Sequence, residues 1–160
     1  MSLQDWERNG WLLQHKATAQ DIAQLLFVVE RDIRSAGAVD SSDWTFNIAY
    51  NAALKLATVL LYAEGYRADK MNNHYRTFQA IPVLLGSEHR PMSAYLNKCR
   101  QKRNEATYDR VGVVSRMESQ ELLDFIPDFQ AQVSAWLEEH HPAVARDVEN
   151  ELDTLRKTRE

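Results

Sequence analysis

Arg100, Arg103, Asn104, Thr107 and Tyr108 are spaced so that one side of an α-helix would carry all five polar groups. With Arg100 set at zero and 100° per residue, Arg103 falls at about −60°, Thr107 at about −20°, Asn104 at about +40° and Tyr108 at about +80°. Two guanidiniums beside an amide and two hydroxyls are suited to holding a phosphate. Lys98 and Lys102 add cationic charge to the same stretch, and RNA or anion binding is read onto Lys98, Arg100, Lys102 and Arg103. A polar face simply wetted by solvent fits the same spacing, so pattern alone leaves both readings open.

Charge distribution sharpens the first reading. Between Arg90 and Arg110 stand six basic and two acidic side chains, an excess of four in a chain of net charge −4, so the remainder carries −8. Affinity for an anionic partner would therefore come from this local patch and not from the chain as a whole. RNA phosphates, a nucleotide or an acidic protein face would all satisfy it. His74 and Tyr75 begin a separate helical stretch, where a helix N-terminus favours anions, so His74 is a candidate to face the same groove. A partly exposed histidine of a capping region is the alternative there.

Other chemistries lack their signatures. His15, His74, His89, His140 and His141 form neither a His-x3-His pair nor an HExxH motif, and no metal or cofactor is expected. A glycine-rich phosphate loop and a GxSxG elbow are missing too. The single Cys99 has no partner for an internal disulfide, which points to a reducing compartment. The stretch from Met1 to Lys16 interrupts its apolar residues with Asp5, Glu7 and Arg8, unlike a signal peptide, and no run of 18 apolar residues occurs. A cytoplasmic protein with no membrane partner is expected.

The elements that must position these residues are helical. The chain has 160 residues, 5 Gly and 4 Pro, too few turn formers for a turn-rich β design and enough length for one self-sufficient core. Thr18 and Asp21 form a capping signature before Ile22, Leu25, Leu26, Val29 and Ile33, and Gly37 closes that helix. Ser41 or Ser42 caps a second helix, whose small and apolar residues nearly encircle it up to Gly65 in the C′ position. Such a profile predicts a central helix, with Tyr50 and its aromatic neighbours as core packing.

A third helix spans about Asn73 to Leu85 with Pro82 inside it and Gly86 as its stop. Pro91 suits the first turn of the fourth, which carries the basic run, and Ser115 with Glu118 forms a capping box for the fifth. Alternation of apolar and polar residues never outlasts four positions, apart from the short connection 111–114. The expected fold is all-α, an antiparallel four- to five-helix up-and-down bundle over residues 1–142, successive helices packing as neighbours. Residues 143–160 form a charged tail whose thin stripe of Val148, Leu152 and Leu155 predicts a marginal helix in need of a partner surface.

From about Asp43 to Leu137 the chain resembles HEPN domains, small helical bundles of bacterial and archaeal toxin–antitoxin, defence and nucleotidyltransferase-associated systems. The resemblance is carried by Tyr50-Asn51-Ala52-Ala53-Leu54-Lys55-Leu56-Ala57, the Gly65 stop, His74-Tyr75-Arg76-Thr77-Phe78-Gln79-Ala80-Ile81, and Arg103-Asn104 followed by Tyr108-Asp109. Catalytic members are metal-independent endoribonucleases with an Arg, usually a polar residue, and a His after four to six intervening positions. Arg103 and Asn104 match the first half, while Tyr108 stands where the His is expected. In the family's chemistry that His serves acid–base catalysis of 2′-OH attack on phosphate, and the Arg stabilises the developing charge. A tyrosine of ordinary pKa near 10 is a poor general base at neutral pH.

The resemblance therefore implies a homodimer that binds RNA or nucleotide through Arg100, Arg103, Asn104 and Tyr108, with His74 as the replacement acid–base group if cleavage occurs. A divergent endoribonuclease and a non-catalytic protein-interaction module are the alternatives. The family's association with nucleotidyltransferases implies such a protein as a partner and Tyr108 as an acceptor of transferred nucleotide, although the His that precedes the usual acceptor is missing.

Overall fold

The computed structural model describes residues 1–38, 40–108 and 112–158, with the side chains of residues 106–108 outside that description. It is all-α apart from one short ribbon. Its elements are α1 (Leu3–Arg8), β1 (Leu12–Gln14), α2 (Ala19–Ala36), α3 (Ser42–Ala63), β2 (Tyr66–Ala68), α4 (Asn73–Leu85), a 3₁₀ turn (Ser87–His89), α5 (Arg90–Tyr108), α6 (Arg116–His140) and α7 (Pro142–Thr158).

Local chemistry sets most helix boundaries. Thr18 and Ser115 each accept from the backbone N–H three residues on, and Asp21 and Glu118 return the bond to the cap backbone, satisfying donors that would otherwise be orphaned. Ser41 caps α3 by accepting from the Trp44 N–H. At the other end Gly65 takes φ 86°, the left-handed conformation that lets the chain leave α3 directly into β2.

The all-round apolar character of α3 has the expected consequence: it is the central element, packed against α2, α4, α5 and α6. Tyr50, Leu56, Leu60, Phe78, Leu96, Leu122, Ile126 and Phe129 are fully buried around it. Small residues at Ala49, Ala52, Ala53 and Ala57, all fully buried, let the neighbouring helices approach closely. Within α4, Pro82 lacks an N–H to donate, and in α6 Pro127 does the same without ending the helix.

One feature was not predicted. The N-terminal residues fold into α1 and β1, and β1 pairs antiparallel with β2 in the register Leu12↔Ala68, Leu13↔Arg67 and Gln14↔Tyr66. Three-residue strands are too short for period-two alternation to register in sequence. The ribbon closes a second apolar cluster of Leu3, Trp6, Leu12, Leu61 and Ala80, which seats the N-terminus against α3 and α4. The C-terminal stretch forms α7, and the surface that supports it is α2 together with α6. Val148 and Leu152 are buried there, and Arg156 grips Glu30 of α2 with Nε to Oε2 at 3.2 Å and Nη2 to Oε1 at 2.5 Å.

No helix of the described residues is long and apolar enough to cross a membrane.

Candidate functional site

Three helices converge on one polar cluster. From α3 come Asn47 and Tyr50, one helical turn apart; from the first turn of α4 come His74 and Tyr75; from α5 come Arg100 and Arg103, again one turn apart. Asn72, the residue that precedes α4, sits in the left-handed region, φ 56°, which Asn tolerates better than most residues. His74 is then fixed at its second residue, its own N–H donating to Asn73 Oδ1 at 2.8 Å.

Tyr50 is the floor of the cluster. Its ring is fully buried and edge-on to Phe78, with centroids 5.7 Å apart, while its hydroxyl meets His74 Nδ1 at 2.9 Å. Burial pushes the phenol up to about 12, outweighing the opposite pull of Arg103 and Arg100, so Tyr50 stays neutral. For His74, burial and the same two guanidiniums all act in one direction and hold its pKa below the ordinary value of 6.5. The imidazole is therefore neutral at pH 7, and one ring nitrogen is committed to Tyr50.

The arginines stand over these rings. Arg103 Cζ lies 5.3 Å from the Tyr50 ring centroid, and its Nε donates to Asn47 Oδ1 at 3.4 Å. Arg100 Cζ lies 5.5 Å from the Tyr75 ring centroid, and its Nε donates to Asn97 Oδ1 at 2.9 Å. Both partners are neutral amides, and among the described residues no carboxylate forms an ion pair with Arg100 or Arg103. Two partly buried cations thus face a neutral imidazole, an arrangement suited to an incoming phosphate.

The predicted residues divide between two sides of α5. Arg100, Arg103 and His74 come together, and Asn104 sits beside them on the helix, half-buried. Lys98 and Lys102 are about 160° around the helix from Arg100 and line a separate cavity of ≈ 340 Å³ with Phe46, Tyr95, Cys99 and Glu118. There Lys102 Nζ pairs with Glu118 Oε2 at 3.3 Å. Burial raises the Cys99 thiol to about 11, leaving it un-ionised. The Tyr108 backbone ends α5, but its side chain, like all of Asp109 and Arg110, lies outside the described residues.

Tyr50 and Asn47 were missed because Tyr50 reads as one more aromatic core residue. The available signal was their one-turn spacing with Asn51 on a largely apolar helix, a polar stripe that a purely packed helix has no use for. Among the described residues no three His, Cys, Asp or Glu side chains gather into a metal-binding set. The chain matches no family model, no curated protein and no solved structure.

Proposed function

We propose that this chain is a HEPN-like helical-bundle protein that binds RNA, or a nucleotide, through Arg100 and Arg103, in a homodimer whose two arginine pairs line one cleft. The observation that carries the reading is the pairing of these guanidiniums with neutral partners around the Tyr50–His74 hydrogen bond. Among the described residues these half-buried guanidiniums have no carboxylate partner, and half-buried cations are costly unless an anion completes the site. The HEPN resemblance adds Arg103-Asn104 at the position of the family's phosphate-handling motif and places the reading in a toxin–antitoxin or defence setting.

Fluorescence-anisotropy titration with a labelled single-stranded RNA dodecamer tests it. Arg100→Ala and Arg103→Ala should each weaken binding about tenfold, the usual loss for a charge-assisted contact of about 1.5 kcal/mol. Binding equal to wild type in both variants contradicts the reading.

A second reading, a metal-independent endoribonuclease, is favoured by the position of His74. A neutral imidazole beside two guanidiniums supplies an acid–base group next to a phosphate-stabilising pair without Tyr108. Incubation of RNA with protein in EDTA should then give cleavage that His74→Ala and Arg103→Ala both abolish. Cleavage no greater than in those variants leaves the binding reading alone.

A further inference from the structure

Beside Tyr75, on the side of α4 away from Tyr50, lies a groove of ≈ 620 Å³ bounded by α4, α5 and the N-terminal segment before β1. Its walls include Trp11, Tyr75, Arg76, Gln79, Arg90 and Asn97, and among the described residues no Asp or Glu lines it. The Arg76 guanidinium lies over Trp11, its Cζ 3.6 Å from the ring centroid. Trp11 is itself held edge-on by the buried Trp6, with centroids 5.9 Å apart and an interplanar angle of 69°.

The polar groups are organised in advance. Arg76 Nη1 donates to Gln79 Oε1 at 3.3 Å, and Gln79 Nε2 donates to the Tyr75 hydroxyl at 2.6 Å. Among the described residues neither Arg76 nor Arg90 forms an ion pair with a carboxylate. The groove also adjoins Arg100. Asn97, in its wall, accepts from Arg100, and the Arg76 and Arg100 Cζ atoms each lie 5.5 Å from the Tyr75 ring centroid.

We infer that this groove takes an unpaired nucleobase of the RNA strand whose phosphate is held at Arg100 and Arg103, the base stacking on the Arg76–Trp11 pair. The inference rests on the RNA-binding reading above. A guanidinium plane backed by indole is a stacking platform for any base, because every base has a π-face. Gln79 and Asn97 present amides to its edge, and Arg90 at the rim meets the next phosphate. Duplex RNA keeps its bases stacked on one another, so the groove selects single strands.

The test compares a decamer of adenylate with a decamer of abasic ribose phosphate, equal in charge, on wild type and on Arg76→Lys. Lysine retains the charge and removes the planar face. Wild type should bind the adenylate decamer at least tenfold more tightly than the abasic one, and Arg76→Lys should erase that difference while leaving abasic binding unchanged. In a Trp44→Phe background, with the exposed indole removed, adenylate should also quench tryptophan fluorescence where abasic decamer does not, a readout independent of any change at Arg76. Equal binding of both decamers by wild type, or equal weakening of both in Arg76→Lys, overturns the base subsite and leaves the phosphate reading standing. Failure of wild type to bind either decamer overturns both.

Discussion

The Tyr50 hydroxyl and the His74 Nδ1 lie 2.9 Å apart, joining the central helix to the first turn of α4 across 24 residues of sequence. Tyr50 packs in the apolar core with the Arg103 guanidinium over its ring, and His74 is the partner that satisfies its hydroxyl. Tyr50→Phe keeps the ring beneath Arg103 and removes only the bond. It should destabilise the protein by about 1 kcal/mol in urea denaturation, the cost of an unmade, partly buried hydrogen bond. An unchanged midpoint would mean the contact does not contribute to stability.

His74 gives stability a pH dependence of defined sign. Burial and both arginines lower its pKa in the folded chain, so below about 6.5 the unfolded chain binds a proton that the folded chain refuses. This contribution is present above that pH and is lost as pH falls through the depressed folded value. Relative to His74→Asn, the wild type should therefore lose stability between pH 7.5 and pH 5. Parallel stability curves for the two proteins over that range would contradict the assignment.

RNA should reverse the shift. A bound phosphate offsets the two guanidiniums, so the His74 pKa rises in the complex, and by linkage affinity increases as pH falls from 8 to 6. NMR titration of the His74 ring signals with and without an RNA dodecamer measures it directly. A pKa unmoved by RNA would place the phosphate away from the imidazole.

Much of the fold was legible because it is written in local signals. The capping pairs Thr18–Asp21 and Ser115–Glu118, the Gly65 stop and the all-round apolar profile of α3 each act within a few residues, and each appears where it was read. The ribbon was not legible, since Leu12 and Ala68 meet only once α3 has brought them together. The site divides in the same way. Arg100 and Arg103 share a face by helix geometry alone, whereas the use of Tyr50 depends on α4 folding back onto α3. Lys98 and Lys102 show the opposite case: counting charge along the chain groups them with the arginines, although the same 100° rotation puts them on the far side of α5.

Lys102→Ala should accordingly separate from Arg103→Ala. Loss of the exposed Glu118 pair costs no more than about 1 kcal/mol of stability, and RNA affinity should change less than threefold against about tenfold for Arg103→Ala. Equal losses in the two variants would relocate the RNA-binding face.

The C-terminal helix should depend on burial more than on its ion pairs. Leu152→Ala empties a buried position in the α2–α7 contact and should cost about 2–4 kcal/mol, whereas Arg156→Ala removes partly exposed pairs worth about 1 kcal/mol or less. Urea denaturation of the two variants gives the order, and a larger loss for Arg156→Ala would show that the Glu30 grip holds α7 in place.

The most direct measurement is the salt dependence of binding to a single-stranded RNA dodecamer, comparing wild type with the Arg100→Ala, Arg103→Ala double variant between low and physiological ionic strength. Each phosphate contact to a single strand contributes about −0.7 to the slope of log K against log salt. Removal of two contacts should make the slope shallower by about 1.4 and weaken binding at every salt concentration. A slope identical in the two proteins, or wild-type binding that does not respond to salt, would contradict phosphate recognition by Arg100 and Arg103.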